Sequence, residues 1–359
     1  MVRYPGRWVD VGSVLALSFI LGCASVAAPA PLPKLEGNLS YAPAASTTLT
    51  GYALTGSTQP LHDPSIIRQG STYYVFTSDW FGLPPGNYLP IRCSQDEVNW
   101  TSCGSVFQQI PAWVQSKVPG AIALWAPDIS YFNGLYHLYY AGSTAGSQRS
   151  VIGLATNTTL DASDPAYKWV DAGEALESLP GDNFNAIDPN IAIDPAGSIW
   201  MTYGSYWSGI KQVQIDPQTG APIVNASRFA LASRPEVPNN PIEGASIVRH
   251  GGFYYLFVSV DYCCNTDAAT DDYKEMVGRS TSPQGPFVDS SGTSMIEGGG
   301  TVILQGEGIW NAPGGGTAYV DAQTGESILV FHALKMTENG ATYLWLKHIS
   351  WQNDWPVLM

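Results

Sequence analysis

The sequence predicts an all-β protein folded as a five-bladed β-propeller, on three observations. A motif of a small or acidic residue, a Pro or Gly and an apolar run recurs five times, at spacings of roughly 55–70 residues. That spacing suits one four-stranded sheet with its loops per copy. The strand after each motif is apolar on both faces, as fits a sheet pressed between two neighbours. No long amphipathic helical pattern competes with this reading.

The copies run in order along the chain. They are HDPSIIRQGSTYYVFTS (His62–Ser78), APDISYFNGLYHLYYAGS (Ala126–Ser143) and IDPNIAIDPAGSIWMTYGS (Ile187–Ser205), then IEGASIVRHGGFYYLFVSV (Ile242–Val260) and APGGGTAYVDAQTGESILVFHAL (Ala312–Leu334). Each joins two strands through turn residues: RQGS, FNG, DPAGS, RHGG and DAQTGES. In DPAG, Asp194–Gly197, Pro at the second turn position and Gly at the last predict a hairpin. The propeller is expected over residues 45–359. A pair of β-sandwiches is the alternative, but it gives no reason for one motif to recur at one place in each unit.

Ahead of it, Arg3 and Arg7 precede an apolar segment, Val11–Ala28, that ends in small residues. This reads as a secretory signal over residues 1–28, and the Pro-rich stretch 29–44 reads as a disordered leader. A membrane anchor or a lipoprotein Cys23 are weaker readings of the same segment. Secretion agrees with N-x-Ser/Thr sequons at Asn38, Asn99, Asn157 and Asn225, which make the chain a candidate glycoprotein. Of five cysteines, removal of Cys23 leaves Cys93, Cys103, Cys263 and Cys264, which allow three pairings. Cys93–Cys103 is a plausible bridge, and the adjacent pair either bond to each other or stay as thiols. None has metal-site spacing.

Composition narrows the partner. Apolar residues make up 45% of the chain, which allows a large core, and acids outnumber bases 30 to 16 for a net charge of −14. Nucleic acid, an anionic membrane surface and a strongly acidic polymer are therefore poor ligands. A neutral substrate fits better, and a monomer with no membrane attachment after signal removal is expected.

In a propeller the innermost strand of every blade borders the central channel. Asp63, Asp128, Asp188 and Glu243 are read as occupying equivalent places in the first four repeats, and the fifth carries PGGG instead. Carboxyl groups gathered around one cavity push each other's pKa values apart. Glycoside hydrolysis needs that arrangement: one carboxyl protonated to donate to the leaving oxygen, another ionised to activate water or attack carbon. A divalent-ion lectin is the competing reading from residue types alone. The chain has no G-x-S-x-G elbow, no H-E-x-x-H and no phosphate-cradling loop.

With HDPSI, WAPDI, IDPNI and IEGASI in this order, the chain resembles glycoside hydrolase family 43, and within it the endo-1,5-α-L-arabinanases. YGSYWSGIKQVQIDPQTG (Tyr203–Gly220), DYCCN, VGRSTSPQGPFVD (Val277–Asp289), NAPGGG and the final WPV extend the likeness over nearly all of the mature chain. The resemblance implies a secreted enzyme that cuts internal bonds of plant cell-wall arabinan, the side chain of pectin, with inversion. An exo-acting arabinanase, an arabinofuranosidase or a β-xylosidase of the same fold is the alternative, and a non-catalytic sugar-binding propeller the reading from another class. By position Asp63 resembles the general base, Glu243 the general acid and Asp188 the carboxylate that modulates the acid. Trp125 and Trp207 are candidate sugar platforms, and Asn190 and Ser205 candidate hydrogen-bond partners of the sugar. Asp128 is expected in the cleft, orienting substrate or shaping the site. His332 matches a channel histidine that helps hold a hydrated calcium ion; a buried strand histidine bonded to its neighbours is the competing view. His62 adjoins the base without being needed for the chemistry.

Overall fold

A computed structural model describes residues 49–79, 86–265 and 267–359; the expected signal, the leader and Asn38 lie outside the described residues. Five antiparallel sheets follow one another along the chain. Blade I holds strands His62–Gln69, Thr72–Ser78, Tyr88–Ser94 and Asn99–Phe107, with Thr55–Gly56 added in parallel at its outer edge. Blade II holds Trp125–Phe132, Leu135–Gly142, Ser150–Asn157 and Val170–Ser178. Blade III holds Asn190–Ile193, Ile199–Tyr203, Ile210–Ile215 and Phe229–Ala232. Blade IV holds Ile242–His250, Phe253–Val260, Lys274–Ser280 and Thr301–Leu304. Blade V holds Trp310–Val320, Ser327–Lys335, Ala341–Gln352 and Trp355–Leu358. The first strands of neighbouring blades touch around a closed ring, blade V meeting blade I. The five-bladed propeller expected from the repeats is therefore the fold.

The second strands explain why the sheets stack radially. Val75 and Phe76, Leu138 and Tyr139, Leu256 and Phe257, and Val330 and Phe331 are all 0% exposed, although successive side chains point to opposite faces. Each blade thus buries both faces, and the apolar core is divided into wedges between blades. Ile67, Phe76, Leu138 and Tyr140 share the wedge of blades I and II, and Tyr139, Ile152, Met201 and Tyr203 that of II and III. Burying each such side chain contributes about 1.5–3 kcal/mol before conformational entropy is subtracted. The DPAG hairpin forms as read, with Gly197 N–H donating to the Asp194 carbonyl at 2.9 Å.

Among the described residues, the seam between blades V and I is closed by side-chain and backbone contacts and not by a shared strand. Arg68 pairs with Asp321 at 2.8 Å, and Leu61, Ile66 and Trp100 of blade I pack with Ile328, Val330 and Leu344 of blade V. Backbone also crosses there, from Leu344 N–H to the Thr58 carbonyl at 2.8 Å.

Both adjacent and loop-flanking cysteine pairs are bonded, Cys93–Cys103 and Cys263–Cys264. The sequon asparagine Asn157 is buried, and its Oδ1 accepts from Lys168 N–H at 3.1 Å.

Candidate active site

Strand register separates the four acids that the repeats had placed together. Each first strand loops out two residues where it meets the channel. Pairing with the second strand stops after His62, Trp125, Glu243 and Gly314, and resumes at Ser65, Asp128, Ser246 and Thr317. In blade III the same step runs from Ile187, whose carbonyl accepts from Gly204 N–H, to Asn190. The first looped-out residue has positive φ in every blade: Asp63 49°, Ala126 38°, Asp188 55°, Gly244 56° and Gly315 58°. Asp tolerates this left-handed backbone better than most residues that carry a side chain. Asp63 and Asp188 are therefore equivalent, Glu243 stands one residue earlier, and Asp128 two residues later. In blade V the equivalent stretch is Gly314–Thr317, because Ala312-Pro313 already forms a bulge of its own.

The difference decides what each acid does. The residue at which pairing resumes ties its blade to the next. Ser65 Oγ accepts from Ile129 N–H at 3.1 Å, Asp128 Oδ2 from Ile191 at 2.9 Å, Asn190 Oδ1 from Ile247 at 2.9 Å, and Ser246 Oγ from Ala318 at 3.1 Å. Asp128 also accepts from Asn190 Nδ2 at 2.9 Å. Asp128 and Asn190 are 3% and 5% exposed and do not border the cavity, so neither is a sugar ligand as expected; they are fasteners between blades. Asp128→Ala strands three buried donors, Ile191 N–H, Asn190 Nδ2 and Ser65 Oγ, and should cost about 3 kcal/mol of stability or more, at roughly 1–3 kcal/mol per unmade bond. Urea unfolding measures the loss, and KM should stay near the wild-type value.

Asp63, Asp188 and Glu243, by contrast, border one cavity of about 390 Å³ at the channel mouth, together with Trp125, Ser205, Trp207 and Tyr273. Asp63 Oδ2 accepts from Ser78 Oγ at 2.6 Å, and Ser78 Oγ in turn accepts from Ala126 N–H at 2.6 Å, which aims the serine proton at the carboxylate. Burial pushes Asp63 up to about 6, opposed by the Ser78 bond and reinforced by Glu243. Glu243 receives Ser205 Oγ at 2.6 Å on one oxygen and the Tyr273 hydroxyl at 3.0 Å on the other. Burial raises its pKa against those two bonds. Asp188 accepts from Gly244 N–H at 3.1 Å. Burial, then the charges of Glu243 and Asp63, hold it well above the usual carboxylate range. Three acids in one poorly solvated space resist ionising together, because one charge raises the cost of the next. The site can hold a carboxylate and a carboxylic acid at once.

The remaining sequence candidates fall as follows. Trp125 and Trp207 border the cavity as expected, and Trp207 is fixed by its Nε1–H donating to Gln148 Oε1 at 2.8 Å. Ser205 is a partner of Glu243. His332 is 1% exposed, and its Nδ1 accepts from Asp63 N–H at 3.3 Å. Its ring lies 4.3 Å from that of His62. Burial pushes His62 down to about 4 and His332 well below its usual range, so both rings are neutral. Possible ligand atoms of His62, Asp63 and His332 all lie within 4.8 Å of one another.

Sequence reasoning missed Ser78, Tyr273 and the part played by the glycines of PGGG. A Cβ on Gly315 would stand 2.6 Å from Asp63 Oδ1 and 2.8 Å from His332 Cε1, at a φ that already disfavours a side chain. One on Gly314 would meet Tyr273 Cδ1 at 2.2 Å. Blade V supplies no acid because the others need the room. Gly315→Ala should therefore lower kcat by about 10²-fold, the order expected from a 1 Å misplacement, while circular dichroism keeps its β signature.

The profile of glycosyl hydrolases family 43 matches residues 57–356. An extracellular endo-α-(1→5)-L-arabinanase of Bacillus subtilis is 39% identical over 303 residues, covering 84% of this chain and 88% of the relative. An extracellular exo-α-(1→5)-L-arabinofuranosidase of Cellvibrio japonicus is 34% identical and covers 91% and 94%. The solved endo-arabinanase of Bacillus licheniformis superposes with a TM-score of 0.76 at 39% identity, covering 86% of this chain and all of that one.

Proposed function

The chain belongs to glycosyl hydrolases family 43, and from that premise we propose that it is an endo-acting enzyme hydrolysing α-1,5-linked L-arabinofuranose backbones with inversion. The observation that carries this is the pairing of Asp63 with Glu243 across one cavity, with Asp188 between them in the chain and bonded to the residue after the acid. Asp63 is the base: its bond from Ser78 favours the ionised form, and it deprotonates the attacking water. Glu243 is the acid: burial favours its protonated form, and the proton passes to the glycosidic oxygen as the bond to the anomeric carbon breaks. Asp188 shares the cavity with the acid, so the charges of the two carboxyls bear on each other, and it orients the loop by accepting from Gly244 N–H. Trp125 and Trp207 offer flat apolar faces to the sugar rings.

Internal cutting is favoured because the cavity does not end at Trp207. A further hollow, lined by Tyr206, Trp207, Pro235, Val237 and Asn240, shares that tryptophan and gives a polymer somewhere to continue. An extracellular monomer acting on plant cell-wall arabinan is the setting that fits the two disulfides, the excess of acids and the names of the relatives. A reducing-end assay on linear arabinan tests the reading. A ladder of mixed oligosaccharides is expected, and a single short product from the first minutes would replace endo with exo action.

Calcium belongs to the same reading. His62, Asp63 and His332 each offer one possible ligand atom, and these lie within 4.8 Å of one another, so the cluster suits an ion that retains most of its water. Such an ion would supply positive charge beside the base and favour its ionised form. Chelator treatment should lower activity several-fold and added calcium restore it; unchanged activity after chelation would remove the ion from the scheme.

A further inference from the structure

We propose that the Cys263–Cys264 disulfide is part of the binding surface for the sugar on the leaving-group side of the scissile bond. This rests on the reading of Glu243 as the acid. Both cysteines border the cavity that contains Asp63, Asp188 and Glu243. They lie in the connection of blade IV between Phe253–Val260 and Lys274–Ser280. That connection leads into Tyr273, whose hydroxyl bonds Glu243 Oε1 at 3.0 Å. Cys263 is half buried against the cluster of Tyr273, Ala312 and Leu334, while Cys264 is exposed and has a left-handed φ of 66°. The segment is tied down around them. Tyr262 N–H donates to Asp272 Oδ1 at 2.9 Å, Asp272 N–H returns to the Tyr262 carbonyl at 2.9 Å, and Asn265 N–H donates to Asp271 Oδ1 at 3.1 Å.

The chemistry of this patch is that of an apolar platform. Bonded sulfurs carry no S–H donor and no charge, and they are soft and polarizable. That surface matches the C–H face of a furanose ring, whose hydroxyls lie at its edges. Bonding neighbouring residues together also removes side-chain freedom before the sugar arrives, so less is lost on binding. The sugar whose glycosidic oxygen takes the proton of Glu243 must lie on the Glu243 side of the cavity. On that side the disulfide joins Tyr273 in lining the wall.

The test compares wild type with Cys263→Ala/Cys264→Ala and with Cys263→Ser/Cys264→Ser on arabinohexaose labelled at its reducing end. Either double variant should raise KM about tenfold, the equivalent of about 1.4 kcal/mol, with kcat within about twofold of wild type. Cuts should also shift toward the reducing end, because sugars on the leaving-group side are held less well. Unchanged KM and cut positions would overturn the proposal. So would a fall in kcat alone, which would mean that the bond only shapes the loop behind Glu243. The same pair of comparisons by calorimetric titration of arabinohexaose, in a Glu243→Gln background, keeps this question separate from the reaction itself. If wild type released no reducing ends, the proposed function would fail, yet weaker binding by the double variants would still support the platform and equal binding would end it.

Discussion

Glu243→Gln should lower kcat/KM on arabinan by about 10²–10⁴-fold, the range that general acid catalysis contributes. The amide keeps the shape of the side chain and has no proton to give to the departing sugar oxygen. An arabinofuranoside whose leaving group departs as a stable anion needs no such proton and should be cleaved at nearly the wild-type rate. The pH profile gives a second readout. Activity that depends on protonated Glu243 falls as pH rises through its pKa, and burial has moved that pKa above the ordinary glutamate range. The alkaline limb of kcat/KM should therefore lie above the value for a free glutamate, and it should vanish from the residual activity of the variant. Equal losses on both substrates would take the acid role away from Glu243.

Asp63→Asn should be at least as damaging, about 10⁴-fold, and on both substrates alike. The amide cannot accept the proton of the attacking water, and the quality of the leaving group does not help a nucleophile that is not formed. The local structure should survive, because the bond from Asp63 N–H to His332 belongs to the backbone and Asn tolerates the positive φ of 49°. Single-turnover kinetics with both substrates, alongside a thermal melt, separates lost chemistry from lost folding. Substantial activity of Asp63→Asn on the activated substrate would place the base elsewhere.

Much of this arrangement was legible in the residues. The repeat spacing, the doubly apolar second strands and the turn residues lead to five radial sheets, and HDP, IDP and IEGAS lead to Asp63, Asp188 and Glu243. What escaped was register. Reading WAPDI beside HDPSI as aligned on their acids moves Asp128 by two places, from a fastener to the cavity. A loop-out of two residues in a strand leaves no mark in composition, and only the pairing partners reveal it. Pairing also shows that Ser78, Ser259 and His332 stand opposite His62, Glu243 and Gly314, at one place on three second strands. The recurrence of serine at the end of YYVFTS and within FVSV hinted at this. Tyr273 carried no signal at all, since its contact with Glu243 depends on how the connection between two strands of blade IV is folded.

The join between blades V and I has a consequence for how the enzyme comes to life on the ribosome. Asp63 is made early, but Gly315 and His332, against which it rests, belong to the last sheet to be made. A nascent chain stopped after the fourth sheet would possess all three acids and still lack the far wall of the base's surroundings. Catalytic competence thus doubles as a completeness check: a chain lacking the fifth sheet is expected to be inactive although it carries all three acids.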